Sequence, residues 1–91
     1  MALQKIPMKI TWDEPKRQMN LAKHGLDFAS LTVEFFLSSH VEPAKEGRSL
    51  AIGEIDGEIV IAVVFRPLGT EAVSVISMRR ANQKERSRAH G

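Results

Sequence analysis

The chain contains no cysteine, which excludes disulfide bonds and metal sites built on thiolates. This absence is typical of a reducing cytoplasm, where we expect the protein to act. Long hydrophobic runs are also missing. The longest, "IVIAVVF" at 59–65, is far shorter than the roughly 20 residues of a membrane-spanning helix and predicts a buried strand. "MALQKIP" (1–7) carries a charge and lacks an apolar core, so we expect no signal peptide.

The spacing patterns of common enzyme classes are absent too. The histidines, His24, His40 and His90, are far apart and show no zinc-ligand spacing with a carboxylate. The six glycines are scattered through turns and form no phosphate-binding loop. No Ser-His-Asp or Cys-His arrangement can be assembled. We therefore predict a protein that uses neither a metal nor a cofactor.

Charge is distributed unevenly along the chain, although the net value is only +2. Residues 1–78 hold eight Lys/Arg and ten Asp/Glu, whereas residues 79–91 hold five Lys/Arg and one Glu. A basic tail on a nearly neutral body favours a polyanion or an acidic protein as partner. A solvated terminal helix would explain the same charges equally well.

The 91 residues, 43% of them hydrophobic, predict one domain. Residues 1–7 are interpreted as an N-terminal extension and residues 8–91 as the domain, because regular patterning begins with "MKITW" (8–12), a short alternating strand. Asp13 and Pro15 then begin a helix that runs to about His24. Gly25 can adopt the left-handed conformation that ends such a helix.

A second helix is predicted after Asp27, its N-cap, with one stripe that would pack on a sheet. The residues of this stripe are Phe28, Leu31, Thr32, Phe35 and Phe36. Residues 38–47 are predicted as a loop with a brief strand near Val41.

Three strands and a last helix complete the prediction. Asp56-Gly57 between two β-rich runs is typical of a hairpin, and "PLGT" (67–70) predicts the next turn. From Arg79 the chain is polar and rich in helix formers. The predicted fold class is α+β, with an antiparallel sheet of three to four strands packed by two N-terminal helices and a basic C-terminal helix.

The chemistry that the remaining residues support best is metal-free RNA cleavage. The reaction needs a base, an acid and cations that stabilise charge on the phosphate. Imidazole groups exchange protons near neutral pH, and arginines match pairs of phosphate oxygens. The candidate residues are His24, Lys16, Lys23, Arg48, Arg66, Arg79 and Arg80. Each also has a purely structural explanation, since a histidine in a last helical turn often caps the helix and an arginine at a strand end is usually just solvated.

"ITWDEPKRQMNLAKHGLDF" resembles the signature of the BrnT toxins, in which Trp-Asp, a Lys, an Asn and Lys-His-Gly-(Val/Leu)-x-Phe recur at this spacing. The matching residues are Trp12, Asp13, Lys16, Asn20, Lys23, His24, Gly25, Leu26 and Phe28. Later, Arg48 precedes an "AIG" strand, "VVF" ends the central strand, and "ISMRRANQKER" resembles the family's closing segment. The resemblance extends over roughly residues 8–88.

This resemblance implies a type II toxin with a fold similar to the RelE-like ribonucleases. It further implies endonucleolytic RNA cleavage that arrests growth, and a BrnA-like antitoxin with a ribbon-helix-helix DNA-binding region. The toxin would reach operator DNA only through the antitoxin complex, which represses its own operon. Family members often carry an aromatic residue where this chain has Ala89, so a base-stacking contact would be absent here.

The resulting hypothesis is a metal-independent RNA endonuclease. Arg66, Arg79 and Arg80 would act on the scissile phosphate, because pairing of their strands through the turn at 67–70 would bring them to one sheet edge. His24 would transfer a proton. The RNA backbone would be held by Lys16, Lys23 and Arg48. The alternative is a non-catalytic nucleic-acid-binding or operon-regulatory protein that acts through its antitoxin complex.

Overall fold

The structure, a computed structural model, describes residues 8–57 and 59–90. The predicted N-terminal extension, 1–7, lies outside this range. In chain order the elements are β1 (Lys9–Trp12), α1 (Glu14–His24), a 3₁₀ turn (Phe28–Ser30), α2 (Val33–Ser38), β2 (His40–Pro43), a 3₁₀ turn (Lys45–Gly47), β3 (Ser49–Ile55), β4 (Ile59–Leu68), β5 (Ala72–Arg80) and α3 (Gln83–His90).

The sheet is five-stranded and mixed, in the order β1-β5-β4-β3-β2. The prediction of an α+β domain is confirmed, but that of a three- to four-stranded antiparallel sheet is wrong. β1 pairs with β5 in parallel, and the other neighbouring strands are antiparallel. The brief strand predicted near Val41 is β2, at the far edge. The pattern of "MKITW" identifies a strand but not its partner, which lies about 60 residues further along the chain.

Helix α1 matches its prediction closely. It ends at His24, and Gly25 follows with φ 70° and donates its N–H to the carbonyl of Leu21 at 2.8 Å. Asp13 occupies the N-cap position without a side-chain capping bond. The local chemistry of Gly25 thus fixes the end of the helix that carries Lys23 and His24.

The predicted second helix is divided in two. Asp27 caps only the turn Phe28–Ser30, and a new N-cap, Thr32, accepts a hydrogen bond from the N–H of Phe35 at 3.1 Å. Thr32 therefore caps α2 and is not part of a continuous apolar stripe. Asp27 also accepts two hydrogen bonds from Arg17, at 2.7 and 3.0 Å, which hold α1 against this turn.

Both predicted turns of the β-meander exist, one of them displaced. Asp56 and Gly57 have φ of 56° and 70°, the left-handed conformations expected for Asp-Gly in a hairpin. β4 continues through Leu68, so the second turn begins at Gly69 and the predicted turn at 67–70 starts too early.

The core lies on one face of the sheet, here called the core face. Phe36 stacks edge-on against Phe65 of β4 and against Phe35, with ring centroids 5.2 Å apart in each pair. The residues of the cluster are Phe28, Leu31, Phe35, Phe36, Ala51, Ile61, Val63, Phe65, Val73, Val75 and Met78.

A register shift interrupts the pairing of β4 with β5. Val64 lies opposite Ser77, whereas Phe65 lies opposite Val75, so Ile76 is an extra residue in β5. Because of this bulge, Val75 and Met78 both point into the core although they are three positions apart. Ser77 and Arg79 consequently point to the opposite face, here called the α3 face.

Helix α3 lies over the α3 face and contacts β3. It is attached mainly by ion pairs, since Arg79 of β5 bonds Glu85, and Arg88 bonds Glu42 of β2. Ile52 of β3 and Ala89 of α3 line one small cavity of about 270 Å³. Within residues 8–57 and 59–90, none of the helices has the length and hydrophobicity of a membrane-spanning segment.

Candidate active site

A groove of about 590 Å³ separates α1 from β5. Lys16 and Lys23 are seven residues apart, close to two helical turns, and therefore point to the same side of α1. His24, in the last turn, lines the groove with them. The remaining lining residues are Met19, Asn20, Ala22, Ile76 and Ser77. Three of the seven predicted site residues thus share one surface.

Asn20, one of the residues of the family motif, is a buried structural residue. It is 7% exposed, and its side chain bonds the backbone of Met78, accepting from the N–H at 3.0 Å and donating to the carbonyl at 2.9 Å. β1 ends at Trp12, opposite Val75, so Met78 lies beyond the end of that partner strand. The Asn20 carboxamide takes the place of the missing strand and fixes α1 along the edge of β5.

Arg48 and Arg66 form a second basic cluster, which does not line the groove. They flank the Ser49–Phe65 pair of β3 and β4, and both contact Glu46. Arg66 Nη1 donates to the Glu46 carbonyl at 3.3 Å, and Arg48 Nη2 lies 3.7 Å from its carboxylate. Arg48 Nε is buried without a hydrogen-bond partner among the described residues. Among the described residues, these two guanidinium groups make one ion pair between them, the long contact from Arg48 to Glu46. Several of their N–H groups therefore remain available to bind an anion.

Arg79 is fully engaged by a carboxylate. It donates two hydrogen bonds to Glu85, both at 2.8 Å, and a weaker one to the carbonyl of Arg80 at 3.3 Å. These bonds hold the pKa of Glu85 below its ordinary value and raise the pKa of Arg79. Arg80, by contrast, is exposed at the end of β5.

The predicted meeting of Arg66, Arg79 and Arg80 at one sheet edge is wrong. Arg66 lies opposite Ser74, near the turn, whereas Arg79 lies opposite Ala62 at the far end of the strand pair. Ala62 and Arg66 are four residues apart, roughly 14 Å at about 3.4 Å per residue. In an antiparallel pair, the end of one strand meets the start of the next, so these arginines start from different points along the strand pair.

The attachment of α3 to the sheet was not predicted. Arg88 donates two hydrogen bonds to Glu42, both at 3.0 Å, and His40 Nε2 lies 2.9 Å from the same carboxylate. The Arg88 bonds are the main reason why the pKa of Glu42 is lowered. Only the Arg79–Glu85 contact had a local signal, because Asn82 and Glu85 have the spacing of a capping box. Their side chains bond each other's backbone N–H, at 2.8 and 2.9 Å.

Comparison with known proteins identifies the family. The family model described as "Ribonuclease toxin, BrnT, of type II toxin-antitoxin system" matches residues 12–85. The chain belongs to the BrnT family. Its structure is similar to the crystal structure of the Brucella abortus ribonuclease toxin BrnT, with a TM-score of 0.79 and 67% sequence identity. That match covers 84% of this chain and 99% of the Brucella chain. No curated protein matches the chain.

Membership of the BrnT family confirms the prediction of a ribonuclease toxin of a type II toxin–antitoxin system, and it implies an antitoxin partner. The match ends at Glu85, so all seven candidate residues fall inside it and most of α3 falls outside. In the part of the chain that the structure describes, no three histidine, aspartate or glutamate side chains gather as a metal site would require.

Proposed function

We propose that the protein is a metal-independent RNA endonuclease, held inactive by a BrnA-like antitoxin. Family membership supports the ribonuclease class. The observation that carries the proposal is the groove that Lys16, Lys23 and His24 line together, because an imidazole beside cations supplies a proton-transfer group and charge stabilisation without a metal.

The proposed reaction is attack of a ribose 2′-oxygen on the adjacent phosphorus. The O2′–P bond forms, the bond from phosphorus to the 5′-oxygen breaks, and the products are a 2′,3′-cyclic phosphate and a 5′-hydroxyl end. One proton leaves the 2′-hydroxyl and one reaches the leaving 5′-oxygen. His24 transfers one of these protons, and Lys16 and Lys23 stabilise the charge that develops on the phosphate.

The arginines take separate roles because the structure separates them. Arg48 and Arg66 hold a phosphate that flanks the cleavage point, since they share Glu46 and do not line the groove that contains His24. Arg79 acts as a positioning residue that attaches α3, because Glu85 occupies its guanidinium. Arg80 contacts the RNA backbone from the exposed end of β5. This proposal differs from the prediction that Arg66, Arg79 and Arg80 all act on the scissile phosphate.

The antitoxin we propose is BrnA-like and carries a ribbon-helix-helix region. The toxin would contact operator DNA only through the antitoxin complex, and the complex would repress its own operon. The cytoplasm, where RNA and operator are both accessible, is the compartment in which we propose that it acts.

The test is cleavage of RNA by antitoxin-free protein in the presence of EDTA. We expect products with 2′,3′-cyclic phosphate ends, and no cleavage at a 2′-deoxy substitution. His24→Gln should lower the rate by about 10²–10⁴. His90→Gln, another exposed histidine outside the family match, should not change it.

Each other outcome has a defined meaning. Intact RNA with the wild-type protein, together with salt-dependent RNA binding, would refute the enzyme and favour the non-catalytic alternative. Cleavage that stops in EDTA and returns with a divalent cation would refute metal independence. An unchanged rate in His24→Gln would remove His24 from the mechanism. Arg66→Ala should weaken RNA binding without changing the position of cleavage.

A further inference from the structure

The groove between α1 and β5 has an apolar floor that RNA cleavage does not use. Met19 is 71% exposed there, and Ala22 and Ile76 lie beside it. The lysines at the rim of the groove are sufficient to contact the phosphates of an RNA backbone. An unstacked base would need an aromatic platform, and no aromatic side chain is found among the residues that line the groove. Exposed methionine is instead typical of surfaces that bind protein segments.

The edge of β5 beside this groove is closed to strand addition at Met78. Asn20 already occupies both the N–H and the carbonyl of that residue, at 3.0 and 2.9 Å. A partner cannot extend the sheet there through its own backbone. A partner that contacts this edge at Met78 therefore binds through side chains, as an amphipathic helix does when its apolar face enters a groove.

Charge and length define the helix that fits. Lys16 and Lys23 stand at the two ends of the groove, about 10 Å apart at 1.5 Å per residue, and Met19 lies between them. His24 adds a further basic group at the Lys23 end. The groove therefore matches a helix of about two turns with an apolar side chain between two acidic ones.

We propose that the antitoxin of this toxin docks such an acidic amphipathic helix into the groove. The existence of an antitoxin follows from the family, and the docking surface follows from the apolar floor and the basic rim. That docking would block catalysis rests on the proposed function, because the bound helix would cover His24. Binding itself does not depend on that function.

The test measures binding of the antitoxin encoded beside the toxin gene, purified separately, by titration calorimetry. Met19→Ser should weaken binding by roughly 10- to 100-fold, because it removes the apolar contact at the centre of the groove. Leu37→Ser is the matched control, since Leu37 is 75% exposed on α2 and should leave both binding and cleavage unchanged.

Methyl NMR of methionine-labelled toxin shows directly what fills the groove. The antitoxin should shift the Met19 methyl signal and leave that of Met78, which is fully buried, in place. Wild-type affinity in Met19→Ser, or a Met19 signal that responds to RNA and not to the antitoxin, would overturn the proposal. A toxin that binds the antitoxin through Met19 but leaves RNA intact would refute the proposed function alone.

Discussion

Replacing Glu85 with glutamine tests whether the Arg79–Glu85 pair holds α3 on the sheet. Glu85 is buried, with a side chain 7% exposed, and its carboxylate accepts two hydrogen bonds from Arg79 at 2.8 Å and one from the N–H of Asn82 at 2.9 Å. Glutamine preserves the shape of the side chain. It removes the charge, however, and turns one acceptor oxygen into a donor that faces the arginine.

The size of the effect follows from exposure. A hydrogen bond to a charged group contributes roughly 1.5–3 kcal/mol, and loss of one partner of a buried pair costs more. Arg79 is 38% exposed, so water replaces part of what it loses. We therefore expect the free energy of unfolding to fall by about 2 kcal/mol. For a chain of this length that lowers the melting temperature by roughly 10 °C.

The assay is thermal unfolding by circular dichroism as a function of pH. The pKa of Glu85 is lowered in the folded state from an ordinary value of 4.5, so its carboxylate stabilises the fold fully above that pH. The stabilisation is lost as the pH falls through the folded-state pKa. The gap between wild type and Glu85→Gln should therefore be constant from about pH 6 to 8 and should shrink below about pH 4.5.

Two results would refute this reasoning. One is a melting temperature in Glu85→Gln within 2 °C or so of the wild type at pH 7, which would mean that the pair contributes almost nothing. The other is a gap that persists unchanged in acid, which would assign the loss to shape rather than to charge. Glu71→Gln serves as the control, because Glu71 is exposed in the turn before β5 and should cost less than about 0.5 kcal/mol.

Three further substitutions test the fold. Asn20→Leu should cost roughly 2–4 kcal/mol in urea unfolding, because it leaves both backbone groups of Met78 unpaired, and a loss under about 1 kcal/mol would contradict this role. Gly25→Ala should cost about 1–2 kcal/mol from its φ of 70° alone, since nothing lies within 4 Å of the added Cβ, and Gly25→Asn should cost less. Gly53→Ala should cost about 1–3 kcal/mol, because its Cβ would lie 2.5 Å from Ser39 Oγ. If that contact is the cause, adding Ser39→Ala should recover part of the loss.

Structural features that depend on only a few adjacent residues were predictable from the sequence. Gly25 ends α1 because its left-handed conformation depends only on its own missing side chain. Asp56-Gly57 forms a hairpin for the same kind of reason. The common side of Lys16 and Lys23 follows from helical periodicity, so the rim of the groove was accessible to sequence reasoning as well.

Features that depend on distant pairing were not predictable. β1 pairs with β5, and the residues of "MKITW" do not determine which strand becomes its partner. The choice of partner depends on how the whole core packs. The separation of Arg66 from Arg79 follows from the antiparallel register. The divided second helix is an intermediate case, since Asp27 and Thr32 are both valid caps and only packing determines where each helical segment begins.

The reason for an asparagine in the middle of α1 becomes clear only from the folded structure. Asparagine is a poor residue for the middle of a helix, because its side chain competes for backbone hydrogen bonds. In α1 the Asn20 carboxamide does not bond the backbone of its own helix turn and instead bonds the backbone of Met78 in β5. The family motif includes this residue together with several cations, whereas its contacts in the structure are with backbone groups.

The extra residue at Ile76 has a consequence for how this segment can evolve. Side chains from Ser77 to Arg80 alternate between the two faces of the sheet in a phase that the bulge sets. Deleting Ile76 would remove the bulge and leave its neighbours on their present faces, whereas inserting one residue between Ser77 and Met78 would turn the methionine outward and the arginine that binds α3 toward the core. One insertion there would therefore disrupt the core and the attachment of α3 together. We expect homologues to tolerate substitutions in this stretch, and loss of the bulge residue, far better than insertions.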